Sequence, residues 1–523
     1  MSNPEGIQLQ EMQVDPGGGP AIPIRRSVAA ATAITLAGYA TLLIQQVIYA
    51  RLLGVTGSTD ALAAALVWVN SVAWLVGTVF ISVMVPLYAR TLATDEVRAG
   101  ALFGSATWPV VTIGVVLTGL TLVAADGLAT LLAPGASSGS RTQVAELLRI
   151  TTPAILFSVL VAVLSSLANA RERYRAAAAV IAIQPVIVIV ALLASTVPTV
   201  AVAGAAYSLG AGVQVLALLL AVRPWWRDLS PRLAIDAGAA IARRAVPVGL
   251  AFLFIYVASI AARGLASFGG SGAVTIVDYA NRLVGAAEQA ALAGFLSIAL
   301  TSWSLDSADL TDRRLPTGIT IRIATGVFAG AAAVGFLLAP AGVQVLFEGG
   351  SFGPADAAAL SEFLRWMAPG VAGHAVLMLV IRGLLARDAN WAVSGVALIQ
   401  LLLFVVVGVV AAPALGINSL GLAFSVSWLA SCVASLVFLE SSMRVTFEMS
   451  QEVIRVGLTL LVALPTALVI VQLVEAGPLG TIVIGLFVLV SVVLLVGRAM
   501  QVTAVMMLEA YGRGHSAPER RAR

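Results

Sequence analysis

The run Glu146-Leu147-Leu148-Arg149-Ile150-Thr151-Thr152-Pro153 returns as Glu362-Phe363-Leu364-Arg365-Trp366-Met367-Ala368-Pro369. The match continues without a gap through Arg171 and Arg387 to Gln184 and Gln400, every pair 216 positions apart. A second block, Arg25, Arg26 and Asp60, returns as Arg243, Arg244 and Asp278 at a separation of 218. Two blocks at nearly one period mark a duplicated unit. Apolar runs of bilayer-spanning length fall near 28–50, 61–88, 103–125, 150–170, 177–197, 200–222, 245–266, 274–303, 318–340, 357–385, 391–411, 416–439, 453–474 and 479–497, about fourteen in all. Spans four and five match ten and eleven, and spans one and two match seven and eight, so the unit is six helices long. An even number leaves both copies facing the same way.

The expected fold is therefore an all-α integral membrane protein. Its two parallel six-helix lobes, 25–222 and 223–440, are related by an axis along the membrane normal and flank a cleft, and two more helices follow within 441–511. Lobes arranged in this way work by alternating access, so a transporter is the leading class. Composition agrees: of 523 residues 60% are hydrophobic and 11% charged, with a mean hydropathy of +1.00, where soluble domains carry about 25% charged residues. A cytoplasmic enzyme is excluded.

The net charge of +4 comes from 30 basic residues, all arginine. With abundant Ala, Val and Gly, this suggests a GC-rich bacterial genome. Arg90 and Arg98, the Arg171, Arg173 and Arg175 trio, Arg223 to Arg244, Arg313 and Arg314, Arg387, Arg444 and the tail from Arg513 to Arg523 all fall on one side of the expected bundle. The positive-inside rule then puts both termini in the cytoplasm and the chain in the plasma membrane. Residues 1–24 read as a disordered tail and 512–523 as a basic tail against anionic lipid. Clustered in loops as they are, the arginines do not suggest nucleic acid. Cys432 is alone, and His374 and His515 are the only histidines. No disulfide framework, zinc set, catalytic triad or nucleotide loop can be assembled, so no cofactor and no catalysis are expected.

Several segments resemble the MurJ/MviN group of lipid-linked oligosaccharide flippases, within the multidrug/oligosaccharidyl-lipid/polysaccharide exporter superfamily. Ser27, Ala29, Ala30, Ala50, Arg51, Gly54, Thr59, Asp60 and Ala61 are similar to that family's opening segment. Tyr279-Ala280-Asn281-Arg282-Leu283 stands where the family has Tyr-Ala-Asp-Arg-Leu, and Ala133-Pro134-Gly135 fits its first lobe. Leu346, Phe347, Gly350, Phe352, Asp356 and Ala357 reproduce its most specific signature. The resemblance implies a V-shaped two-lobed bundle that moves an undecaprenyl-pyrophosphate glycan, such as lipid II, from the inner to the outer leaflet, with the last two spans adding a groove for the lipid tail. This sequence departs from the family at Tyr39, Gln45, Gln46, Ala73 and Trp74, where the family carries charged residues of its cavity.

Charges inside a span are costly unless paired or facing a water-filled cavity, so each is a functional candidate. Asp278 and Arg282 share one helical face at i and i+4, with Arg282 roughly 12 Å into the membrane at 1.5 Å per residue. A contact to pyrophosphate and a self-neutralising ion pair are both open readings of these residues. Glu288 is a candidate for a coupling ion or a hydrogen-bonded carboxylic acid. Asp60, at a helix start, is a second coupling candidate or a cap. Gln45, Gln46 and Asn70 could bind sugar hydroxyls or only neighbouring helices. Arg149 and Arg365 read as snorkelling residues, and His374 as a packing residue.

The reading that follows is a flippase for a polyprenyl-pyrophosphate glycan, contacted by Arg282, Asp278, Asn70, Gln45 and Gln46. Membrane lipids are its other partners, and its energy comes from the membrane potential or an ion gradient. A cation-coupled antiporter for small amphipathic compounds is the alternative, and a non-transporting scaffold the third.

Overall fold

The computed structural model describes residues 21–443 without 93, 231–234, 306–313 and 386–388, together with Gly480. The spans expected at 453–474 and, Gly480 aside, 479–497 lie outside the described residues, as does the tail at 512–523. Every regular element described is helical: α1 (Ala21–Leu53), α2 (Gly57–Leu92), α3 (Glu96–Val123), α4 (Ala125–Leu132), α5 (Ser138–Thr151), α6 (Pro153–Ala170), α7 (Tyr174–Ala179), α8 (Ile183–Ala194), α9 (Val200–Ala221), α10 (Ile235–Ala266), α11 (Ala273–Leu305), α12 (Arg314–Phe347), α13 (Pro354–Leu385), α14 (Asn390–Leu415) and α15 (Asn418–Met443). α1 starts inside the segment read as a tail. In hydrocarbon the backbone must satisfy its own polar groups, which a helix does within one segment. Eleven of these stretches, α7 and α8 counted as one, are long and apolar enough to cross a membrane. α11, the remaining long helix, carries Asp278, Arg282 and Glu288.

The chain runs back and forth between two ends. The connections at 54–56, 133–137, 195–199, 267–272, 348–353 and 416–417 define a distal end, and the described residues 94–95, 171–173, 222–230 and 389 a proximal one. Within lobes α2 packs on α6 and α13 on both α12 and α15; between lobes α2 meets α10 and α1 meets α11. Close approach needs small residues. A Cβ on Gly370 would stand 2.4 Å from Ser425 Cα, and one on Gly373 2.9 Å from Leu429, so α15 lies directly on the backbone of α13.

The repeated prolines show how the duplication is built. Proline lacks the N–H of the i to i−4 bond and breaks a helix unless another group serves the freed atoms. Pro153 separates α5 from α6, and Ser208 of α9 donates to the Ile150 carbonyl at 2.9 Å. Pro369 lies inside α13, where Ser425 Oγ donates to the Trp366 carbonyl at 2.6 Å and accepts from Gly370 N–H at 3.1 Å. One repair thus occurs in both lobes, with a full break in the first only.

The arginine-rich stretch after α9, read from sequence as the start of the second lobe, packs on the first. Arg171 holds Asp228 at 2.7 Å and Glu96 at 2.6 Å, and Tyr88 donates to Asp228 at 2.7 Å. Burial opposes the charge of Arg171, but its hydrogen bonds with Asp228 and Glu96 outweigh this and raise its pKa. Short sequence distance, with Trp225 stacking near Arg171 and Arg173, ties this turn to the lobe it leaves.

Candidate functional site

Two arginines share one aspartate where α10 and α11 run side by side. Arg263, in the last turn of α10, reaches Asp278 Oδ1 at 2.9 Å, and Arg282 Nε reaches Oδ2 at 2.6 Å. Arg263 also donates to the Ser259 carbonyl and hydroxyl at 3.1 and 2.8 Å. Its Nε has no hydrogen-bond partner among the described residues. Two guanidinium groups against one carboxylate leave a net positive charge, and its outer member is the accessible one: the Arg282 side chain is 21% exposed, those of Arg263 and Asp278 6% and 8%. The ion pair, one of the two readings that the i and i+4 spacing left open, is present, and it is one half of a triad with Arg263. Arg263 is the member absent from the sequence-based candidates, and its signal is an arginine inside the apolar run at 245–266.

Tyrosines and amides of the first lobe face this centre. Tyr49 of α1 and Tyr207 of α9 both lie within electrostatic reach of Arg282. Gln45 donates to the Tyr49 hydroxyl at 2.9 Å, and the Tyr207 hydroxyl donates to Asn70 Oδ1. Arg282, Asp278, Gln45 and Asn70 therefore belong to one neighbourhood that joins both lobes. Gln46 is buried with its carbonyl oxygen unpartnered among the described residues.

The sequence shows no link between Glu288 and His374, and the histidine reads there as a packing residue. They are partners: His374 Nδ1 lies 2.9 and 2.8 Å from the two carboxylate oxygens of Glu288. The imidazole is stacked on Trp428, ring centroids 4.3 Å apart. Asp60 is a cap, yet the helix it caps is in the opposite lobe. Its carboxylate accepts from Gly272 N–H at 2.6 Å and from the N–H and hydroxyl of Thr275, both at 2.7 Å, at the start of α11. Arg149 pairs with Asp126 at 2.7 Å, whereas its repeat mate Arg365 sits over the Phe336 ring.

The same distal end carries a paired latch. Gly350 (φ +60°) lies against Arg51, whose carbonyl would be 2.2 Å from an added Cβ, and Ser351 N–H donates to that carbonyl at 2.8 Å. In the mirrored contact Gly135 abuts Ser267, whose carbonyl would be 2.6 Å from an added Cβ, and Gly135 N–H donates to its hydroxyl at 2.9 Å. Gly135 and Ser351, like Arg51 and Ser267, are 216 positions apart, the period of the repeat.

The family model described as lipid II flippase MurJ matches residues 49–493. The chain belongs to the MurJ lipid II flippase family. A solved structure of the lipid II flippase MurJ in an inward-closed conformation is similar over 90% of this chain and 99% of that one, with a TM-score of 0.74 at 17% identity. An inward-facing multidrug resistance transporter of the MATE family and MOP superfamily covers 80% of this chain and 98% of its own, TM-score 0.63, identity 16%. The MATE transporter VcmN of Vibrio cholerae covers 81% of this chain and 97% of its own, TM-score 0.62, identity 16%. No curated protein sequence matches the chain.

The MurJ-like signature at 346–357 gains a physical meaning from the latch. Phe347 and Phe352 pack with Tyr279 in a cluster of rings 5.9–6.3 Å apart, Gly350 admits the end of α1, and Asp356 accepts from Gly353 N–H at 2.9 Å to start α13. Ala133-Pro134-Gly135 makes the equivalent contact from the other lobe. The family motifs are therefore the parts that join the lobes, and over the described residues the helical, MurJ-like fold expected from them is the one observed. The departures at Gln45, Gln46, Ala73 and Trp74 fall on α1 and α2, leaving cationic groups of the centre to α10 and α11.

Proposed function

We propose that this chain carries a polyprenyl-pyrophosphate glycan, lipid II or a related envelope precursor, from the inner to the outer leaflet of the bacterial plasma membrane by alternating access. The observation that carries the reading is the net-positive Arg263–Asp278–Arg282 triad between the lobes. A guanidinium fork suits a pyrophosphate, and in a low-dielectric cleft an arginine with free donors favours an anion strongly. The terminal nitrogens of Arg282 have no hydrogen-bond partner among the described residues, which leaves them for the head group. Asn70, Gln45, Tyr49 and Tyr207 supply neutral donors and acceptors for sugar hydroxyls, and Asp278 keeps both arginines in place. Family membership supports the class of cargo.

With the arginine-rich connections and both termini in the cytoplasm, the distal latch faces outward. The conformation is then closed to the outside, and rocking of the lobes would break the contacts of Asp60, Gly135 and Gly350 to release the head group. The polyprenyl tail stays in lipid, and no covalent chemistry on the cargo is required.

The test is depletion of the protein followed by mass spectrometry of polyprenyl-linked glycans with leaflet-specific labelling, complemented by wild-type chain or Arg282→Ala. Inward-facing lipid II should accumulate on depletion and be cleared by the wild type alone. Accumulation of another lipid-linked glycan would reassign the cargo, and no change in any such lipid would overturn the reading.

A further inference from the structure

The second lobe holds a buried acid–base pair that the head-group site does not use. Glu288 is buried, its side chain 5% exposed, and both its oxygens face His374 Nδ1, whose side chain is 18% exposed. The accessible member is thus the imidazole, whose second ring nitrogen can take up a proton while Nδ1 serves Glu288. A carboxylate beside a neutral imidazole carries one negative charge inside the membrane, at a cost of several kcal/mol; adding one proton to the imidazole makes the pair neutral. Trp428 is stacked on the ring, centroids 4.3 Å apart, and fixes its orientation toward Glu288.

We infer that Glu288 and His374 form a proton site that is filled when the anionic head group binds. The inference rests on the head-group site proposed above. Glu288 lies six residues beyond Arg282 on α11, about 9 Å along the axis. The pyrophosphate brings negative charge to a triad that offers only one net positive charge, and a proton on the pair brings the occupied cleft closer to neutrality. Linkage is reciprocal, so head-group binding raises proton occupancy and a filled proton site tightens head-group binding by the same factor. The step is a simple proton transfer: Nε2 of the imidazole takes the proton from water on binding and returns it on release.

The charged groups around the pair are few. On α11 they are Asp278 and Arg282, and on α10 Arg263, which Asp278 holds. On α13, Arg382 lies eight residues beyond His374, about 12 Å toward the proximal end, within reach of Tyr39 on α1. The described part of α12 from Phe328 to Phe347 contains no ionisable residue, and that of α15 from Asn418 to Leu439 only Cys432. None of these groups touches the pair.

The experiment measures binding of undecaprenyl pyrophosphate to the full chain in nanodiscs at pH 6 and pH 8, for wild type, Glu288→Gln and His374→Gln, with thermal melting as the check of folding. The titration of the lipid phosphate itself is common to all three proteins and cancels. The wild type should bind more tightly at pH 6 than the variants' own pH dependence allows, by roughly tenfold for one unit charge at such a separation. Both variants should lose that extra dependence. His374→Gln keeps a polar partner for Glu288, so it serves where Glu288→Gln does not fold. Equal pH dependence in all three proteins overturns the inference while leaving the head-group site intact. No binding by wild type at either pH overturns that site, and the proton linkage with it.

Discussion

The two lobes share a helix order, a proline repair and a latch, but they differ in what they bury at membrane depth. The first lobe places amides there: Gln45, Gln46, Asn70, Gln184 and Gln214. Two of these are bound to carbonyls of neighbouring helices, Gln184 to Tyr207 and Gln214 to Val180. Its part-buried ion pair, Arg171 with Asp228, is at the proximal end. The second lobe contributes Arg263, Asp278 and Arg282 where it faces the first, and Glu288 with His374 farther along α11 and α13, all paired. Duplication fixed the backbone, and divergence then made one lobe a neutral wall and the other the charged one. An amide in hydrocarbon needs one modest hydrogen bond, whereas a charge needs a counter-charge, so side chains with electrostatic roles accumulate in pairs in the lobe that has them.

The repeat mates Asp278 and Asp60 give the widest expected contrast. Asp278→Ala leaves the buried Arg263 and the part-buried Arg282 without their counter-charge, a loss of about 3–5 kcal/mol, read as a collapse in expression or melting temperature in detergent. Asp60→Ala removes a helix cap and should cost about 1 kcal/mol. Equal losses would end the distinction between a charged and a neutral lobe.

A second contrast sets Arg282→Ala against Asn70→Ala in a reconstituted flipping assay. The arginine variant should lose transport by at least about tenfold, the size of one charge-assisted hydrogen bond, and the asparagine variant by only a few fold. If Asn70→Ala is the more damaging, the first lobe and not the second governs recognition.

The latch distinguishes the lobes less sharply. Gly350→Ala strains a backbone at φ +60° as well as striking the Arg51 carbonyl, whereas Gly135→Ala only strikes Ser267. Both should open the distal end, Gly350→Ala by about 1–2 kcal/mol more. The readout is labelling of a cysteine at Thr59 by an impermeant reagent, on a background where Cys432, the only native cysteine, is buried. The smallest effect is expected for the proline repairs: Ser425→Ala and Ser208→Ala should each cost about 0.5–1.5 kcal/mol, with Ser425 the larger because it serves three backbone groups.

The motifs were legible for their own reason. A glycine pressed on a carbonyl, or a phenylalanine in a three-ring cluster, admits few replacements, so the sequence at 346–357 carries a clear mark of the fold. Gln45 and Asn70 carry no such mark, because an amide in an apolar helix looks the same whether it faces a cavity or a neighbouring helix.

By itself the sequence determined the membrane, the helical class, the period of the duplication and the shared helical face of Asp278 and Arg282. Apolar runs, fixed offsets and an i, i+4 spacing are all local or periodic, and a bilayer allows few alternatives to a helix. Tertiary structure alone decided that Arg263 completes a triad, that Glu288 belongs to His374 and that Asp60 caps the opposite lobe. Each of these joins residues on different helices, 15, 86 and 212 positions apart. Such pairings depend on the rotation and depth at which helices pack, which the hydropathy of a single helix does not encode.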